Sequence, residues 1–230
     1  MCTFDIWNIM STTKSHALVL GASGLVGLLT TKLLLKRNTY DVIYAVSRRG
    51  IPLEHERLVQ ILADYDSIDS HIEKLSIDHI FSCLGSTQKK TPNKKDYTQI
   101  DHDYPLKVAK IGQQNGAKKL SIVSALGADS NSRSFYLRMK GTTEKDIQSL
   151  NFPQLYIMQP SLITGNREET RLAEGLAASL FKIVNPILLG GLKKYRSIDA
   201  EKIAEALVST ASLDQNGTHR YHTELIKQLA

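Results

Sequence analysis

Tyr136 and Lys140 stand four residues apart in the segment Tyr-Leu-Arg-Met-Lys. On a helix that spacing brings a phenol and an ammonium onto one face. A lysine cation favours phenolate and lowers a neighbouring tyrosine pKa, which makes the pair an acid/base device near neutral pH. It is the only Tyr-x-x-x-Lys in the chain. Ser124 closes an apolar run upstream. Its hydroxyl has two readings: a donor to a substrate carbonyl, or a tie for a loop. The histidines are scattered. His219 and His222 are joined by no cysteine or acid cluster, so no metal site is expected.

A second constellation is Gly21-Ala22-Ser23-Gly24-Leu25-Val26-Gly27. It follows a short apolar run and opens an amphipathic one, the strand-turn-helix setting that a phosphate loop needs. Gly21 permits the tight turn, Gly24 lets the backbone approach a pyrophosphate, and Gly27 lets helix and strand pack closely. Free N–H groups around Ser23, Leu25 and Val26 would hold the anion. Past the next strand an NAD site would place an acid on the ribose 2′-hydroxyl. This chain has Arg48 and Arg49 there. Two guanidinium groups welcome a 2′-phosphate, so NADP(H) is the expected cofactor. Asp64, after the third apolar run, stands where an adenine amino group would be bound, although acids there are also ordinary turn residues.

These groups need a frame. Strands are expected over 17–20, 42–46, 58–62, 77–84, 120–123 and 154–158. Helices are expected over 25–37, 96–115 (stopped by Gly116) and 134–150. Ser197 should cap a further helix through Ser209, with Ile203, Ala206 and Leu207 on one face. Strands alternating with helices, and apolar throughout, make an α/β fold: a doubly wound parallel sheet covered on both faces. Its ligands lie at the carboxyl ends of the strands. Residues 16–230 read as a single domain, with 161–200 forming a small C-terminal substrate-side region. That region includes an expected helix at 171–184.

The chain has 230 residues, 42% of them hydrophobic, enough for a sizeable core, and its two cysteines make no disulfide scaffold. The net charge of +6 favours an anionic partner. Its lysine pairs, such as Lys89-Lys90 and Lys193-Lys194, are short and separated and read as solvated loop charge, not a nucleic-acid surface. The apolar stretch 172–192 is interrupted by Glu174, Lys182, Asn185 and Pro186, so no membrane span is expected. Asp5 stands where a secretion signal wants positive charge, so residues 1–15 read as a loose arm and the protein as cytoplasmic. The expected partner is a small-molecule substrate, and neither monomer nor dimer is favoured.

As a set, several features resemble the short-chain dehydrogenase/reductases. They are the Gly21–Gly27 loop, Leu84-Gly85-Ser86-Thr87, Ser124, and Tyr136 with Lys140. The chain is most similar to their atypical branch, typified by the Tat-interacting protein oxidoreductases. The features shared with that branch are Arg48-Arg49, Cys83 to Thr87, Ser-Ala-Leu-Gly-Ala-Asp at 124–129, Tyr136-Leu137-x-x-Lys140-Gly141, and Pro160 before a loop ending in Arg171. The resemblance runs from about residue 17 to the C-terminus. It implies a Rossmann fold, bound NADPH with Leu84 and Gly85 beside it, and Arg171 near the cofactor and substrate mouth. It also implies a Ser124/Tyr136/Lys140 constellation that reduces a carbonyl. Many relatives carry two adjacent hydroxyl residues at the end of the fifth strand; here the second is Ala125. The branch also holds members known as regulators, so a non-catalytic NADP(H)-binding protein is the alternative.

Overall fold

The computed structural model describes residues 15–87, 89–165 and 195–230. Seven parallel strands form one sheet. They are β1 (His16–Leu20), β2 (Val42–Ser47), β3 (Leu58–Leu62), β4 (His79–Ser82), β5 (Lys119–Val123), β6 (Gln154–Gln159) and β9 (Gly217–His222). Their order is β3-β2-β1-β4-β5-β6-β9, so the chain reverses its winding between β1 and β4. The loops leaving those two strands open the crevice where an open α/β sheet takes its ligand. A separate two-stranded sheet pairs β7 (Ile163–Thr164) with β8 (Ile198–Asp199).

Each face of the sheet is sealed by helices. On one side lie α1 (Leu25–Arg37), α6 (Ala200–Ser209) and α7 (Thr223–Leu229), which bury Leu34, Ile203, Ala206, Leu207 and Ile226 against Ala17, Val19 and Ile43. On the other lie α2 (Asp69–Ile72), α4 (Tyr104–Gln114) and α5 (Phe135–Gln148), with Ile72, Val108, Ala109 and Ile147 packed on Leu18, Leu20, Ile80 and Leu120. Each of these fully buried Leu and Ile side chains contributes about 1.5–3 kcal/mol. The central strands β1, β4 and β5 are largely buried because both faces of the sheet are covered there.

Three expectations need correction. The fourth strand is shorter than 77–84, because the chain leaves the ladder after Ser82 and turns past Leu84 and Gly85. Ser197 does not cap α6. Ile198 and Asp199 pair with β7 instead, and Asp199 takes the cap position, its carboxylate accepting from the Thr164 hydroxyl.

The helix expected over 96–115 is interrupted. It begins as α3 (Lys94–Thr98), widens into a π-turn over Gln99–Asp103, and continues as α4. Pro105 explains the widening. It has no N–H to give the carbonyl four residues back, that of Asp101. That carbonyl accepts from the Thr143 hydroxyl of α5, while the N–H of Tyr104 reaches the carbonyl of Gln99.

The helix expected over 171–184 and most of the substrate-side region lie outside the described residues, as does the arm before Ser15. Among the described residues no helix is long and apolar enough to cross a membrane.

Candidate nucleotide and acid/base site

The glycine loop joins β1 to α1. Gly21 sits at φ +79°, and a Cβ there would come within 2.9 Å of the Leu84 backbone. Gly27 is equally constrained: its Cβ would lie 2.2 Å from the Gly21 carbonyl oxygen. These two glycines are needed by the fold itself. Gly24 is different. Its backbone is ordinary and exposed, and within 4 Å its Cβ would meet only the Gly21 carbonyl oxygen, at 3.2 Å. No side chain caps α1, so the N–H groups of Leu25, Val26 and Gly27 lack partners from a cap. An uncapped helix start beside an exposed, side-chain-free residue is a cradle for an anion, and a diphosphate fits it.

At the end of β2 the side chains of Arg48 and Arg49 are exposed. Arg48 lies 5.9 Å from the centre of the Tyr65 ring, which burial holds mainly protonated. The Ser47 hydroxyl donates to the Arg49 carbonyl at 2.6 Å and so fixes the turn that presents both guanidinium groups. Asp64 caps the short turn Tyr65–Ser67 through its backbone carbonyl and leaves its carboxylate exposed. It is a turn residue with a free acid, as both readings of it require.

Tyr136 and Lys140 lie one turn apart on α5. Tyr136 remains 40% exposed. The Lys140 side chain is 8% exposed, and its ammonium pairs with the Asp101 carboxylate, itself 1% exposed, at 2.7 Å. Three features hold Asp101. Its second carboxylate oxygen accepts the Ser86 N–H at 2.8 Å, and its carbonyl accepts the Thr143 hydroxyl at 3.1 Å. Gly85 clears the space: a Cβ there would sit 3.3 Å from the carboxylate and 3.7 Å from the ammonium.

The expected lowering of the Tyr136 pKa is not what results. Partial burial raises it, Lys140 lowers it, Asp101 raises it, and the net position is above the ordinary phenol value. Tyr136 therefore keeps its proton at neutral pH.

Ser124 has a partner that neither reading anticipated. Its hydroxyl donates to the Glu144 carboxylate at 2.5 Å. Glu144 is buried and is held further by the Gln159 amide at 2.9 Å and by Arg220 at 3.2 Å. The serine's proton is thus used inside a polar cluster behind α5. The next position is Ala125, also buried. Arg171 lies outside the described residues.

Asp101 is the residue that the sequence reading missed. The signal for it was Pro105 inside an otherwise helical pattern. Among the described residues no group of histidine, cysteine or acidic side chains could hold a metal.

Residues 17–144 match the family described as NAD dependent epimerase/dehydratase family. Protein FMP52 of Candida glabrata, named as mitochondrial, is 35% identical over 157 residues, 68% of this chain and 67% of its own length. Protein HTATIP2 of Rattus norvegicus is 30% identical over 167 residues, 71% of this chain and 69% of its own. Among solved structures, MoeE5 in complex with UDP-glucose and NAD superposes with a TM-score of 0.67 at 16% identity, covering 91% of this chain and 76% of its own. That likeness shows the fold. The FMP52 relatives from several fungi are named as mitochondrial, which overturns the cytoplasmic expectation. With the Rossmann topology, the cradle and the family match in hand, the chain belongs to the NAD dependent epimerase/dehydratase family, within the short-chain dehydrogenase/reductases.

Proposed function

We propose that this protein is an NADPH-dependent oxidoreductase that reduces a carbonyl of a small substrate. One observation carries the reading: an anion cradle and a partly exposed phenol, backed by a buried ammonium, occur at the carboxyl ends of one parallel sheet. The Gly21–Gly27 loop would hold the diphosphate, Arg48 and Arg49 the 2′-phosphate, and Asp64 the adenine. Leu84 and Gly85 would line the path, and Lys140 would hold the ribose. Bound NADPH supplies the hydride. Tyr136, kept protonated by its surroundings, donates the proton to the carbonyl oxygen as negative charge develops there. Lys140 gives this phenol a neighbouring positive charge that eases the loss of its proton. The small-molecule substrate, in place of a nucleic acid or a membrane, belongs to the same proposal, and so does a mitochondrial setting like that of the fungal relatives.

The test is NADPH oxidation over a broad panel of aldehydes and ketones. Turnover of at least one carbonyl supports the reading. A protein that binds NADPH tightly and turns over nothing contradicts it.

One observation favours a second reading, a non-catalytic NADP(H)-binding regulator. Ser124 spends its hydrogen on Glu144, and Ala125 follows it, so the hydroxyl expected to polarise a carbonyl is not on offer. The same panel separates the two.

A further inference from the structure

Asp101 is among the most deeply buried ionisable side chains described, and no step of the proposed reaction uses it directly. Its setting is specific. A proline breaks the helix ladder, the released carbonyl is taken by Thr143, and the carboxylate is aimed at Lys140 and pinned by the Ser86 N–H. A glycine stands where a side chain would press on the carboxylate. π-turns of this kind recur at functional sites.

We infer that Asp101 is the positioning residue of this site: its carboxylate is the buried counter-ion that holds Lys140 as an ammonium beside Tyr136. This deepens the oxidoreductase reading, and rests on it only for what the ammonium is used for.

The argument is electrostatic. Burial works against the charged form of Lys140, and lysines left alone in protein interiors titrate as low as about pH 5–6. Here burial is outweighed, first by Asp101 and then by Tyr136 and Glu144, and the lysine pKa stands above its ordinary value. Tyr136 and Glu144 lie on α5 itself, Asp101 on the π-turn, and Tyr97 of α3 faces Asp101 and Tyr136. Glu144 is already engaged by Ser124, Gln159 and Arg220. Among the described residues Asp101 is the carboxylate within ion-pair distance of Lys140.

Asp101→Asn tests this, because it keeps the shape and an acceptor for the Ser86 N–H while removing the charge. Unfolding is measured without nucleotide at pH 7, 8 and 9 for wild type, Asp101→Asn and Asp101→Asn/Lys140→Met. In the single variant the folded lysine loses its proton while the unfolded one, with a pKa of about 10.4, keeps it. The unfolded state then binds more protons, so stability rises with pH. The folding constant of Asp101→Asn, relative to wild type, should climb by up to about tenfold per pH unit. The double variant has no lysine to titrate there and should run parallel to wild type.

A merely structural role would lower stability equally at all three pH values, and that result overturns the inference. If Asp101→Asn does not fold, a folded double variant shows that the orphaned ammonium was the fault and supports it. Failure of both overturns it. A parallel NADPH titration of wild type keeps the two claims apart. Absent binding removes the cofactor reading and leaves the pH result standing.

Discussion

Tyr136, Lys140 and Asp101 form one electrostatic unit, and each should fail in its own way when altered. Tyr136→Phe removes one oxygen from a partly exposed ring, so the fold should be unchanged. Reduction should slow by about 100-fold or more, the usual scale for lost general-acid catalysis, while NADPH affinity barely moves. Steady-state rates with parallel binding titrations check both halves. Lys140→Met should lower affinity and rate together, because it would remove the proposed ribose contact and also the charge that favours proton loss from Tyr136. It further leaves Asp101 as a buried carboxylate without its ion-pair partner, so a drop in stability of about 3–5 kcal/mol should accompany it, measurable by denaturant unfolding. Tyr136 and Lys140 were legible in the sequence because helix periodicity makes an i, i+4 pair meet. Asp101 was not, since it meets Lys140 from a neighbouring element that no local periodicity relates to α5, and only the break at Pro105 hinted that its backbone was special. Nor could sequence spacing show that the Ser124 hydroxyl is turned to Glu144.

Among the elements, α1 and its loop separate glycines that serve the fold from one that serves a ligand. Gly27→Ala would drive a methyl group into the Gly21 carbonyl and should cost about 1–3 kcal/mol or more of stability. Gly24→Val meets mainly open space, so the fold should survive while the melting-temperature gain from added NADPH disappears. Thermal unfolding with and without NADPH checks both variants. A valine variant that is still stabilised by the nucleotide would contradict the phosphate-loop assignment. The loop was readable because its glycines are spaced by local geometry.

The clasp between the π-turn and α5 was not readable. His102 touches Asp103 at 2.7 Å and Asp146 at 2.9 Å, one carboxylate on each ring nitrogen. Two acceptors require both nitrogens to donate, which only imidazolium does. Burial lowers the His102 pKa, but hydrogen bonds to both carboxylates outweigh it, and the folded value lies above the usual one. Its stabilisation is therefore full below about pH 6.5 and fades as pH rises through the raised value. His102→Gln should cost about 1 kcal/mol or less at pH 5.5, since both acids reach solvent, and the deficit should shrink by pH 8. Denaturant unfolding at the two pH values reads this directly.

For the whole molecule, the alternation of apolar strands and amphipathic helices carried the doubly wound sheet into view, because a strand covered on both faces has no polar side to show. β3 and α1 lie where the pattern placed them, at Leu58–Leu62 and Leu25–Arg37. The edge strand β9 was harder to see. It is half-buried, rich in polar residues and reads like a loop tail until β6 supplies its ladder. The sheet places Arg48 and Arg49 at the end of β2, beside the glycine loop in the fold's switch region, where both guanidinium groups are exposed. NADPH should bind at least about ten times tighter than NADH, a difference of about 1.4 kcal/mol. Arg48→Ala/Arg49→Ala should bring the two titrations together.

The proposed function requires that Tyr136 supply the proton when a substrate carbonyl takes a hydride that NADPH would provide. Its most direct measurement uses NADPH deuterated at the transferable position, with mass spectrometry of the alcohols formed from the carbonyl panel. The account predicts a product carrying one deuterium with wild type, and its near disappearance with Tyr136→Phe although the variant still binds NADPH. Undeuterated product, or equal deuterium transfer by wild type and Tyr136→Phe, would contradict it.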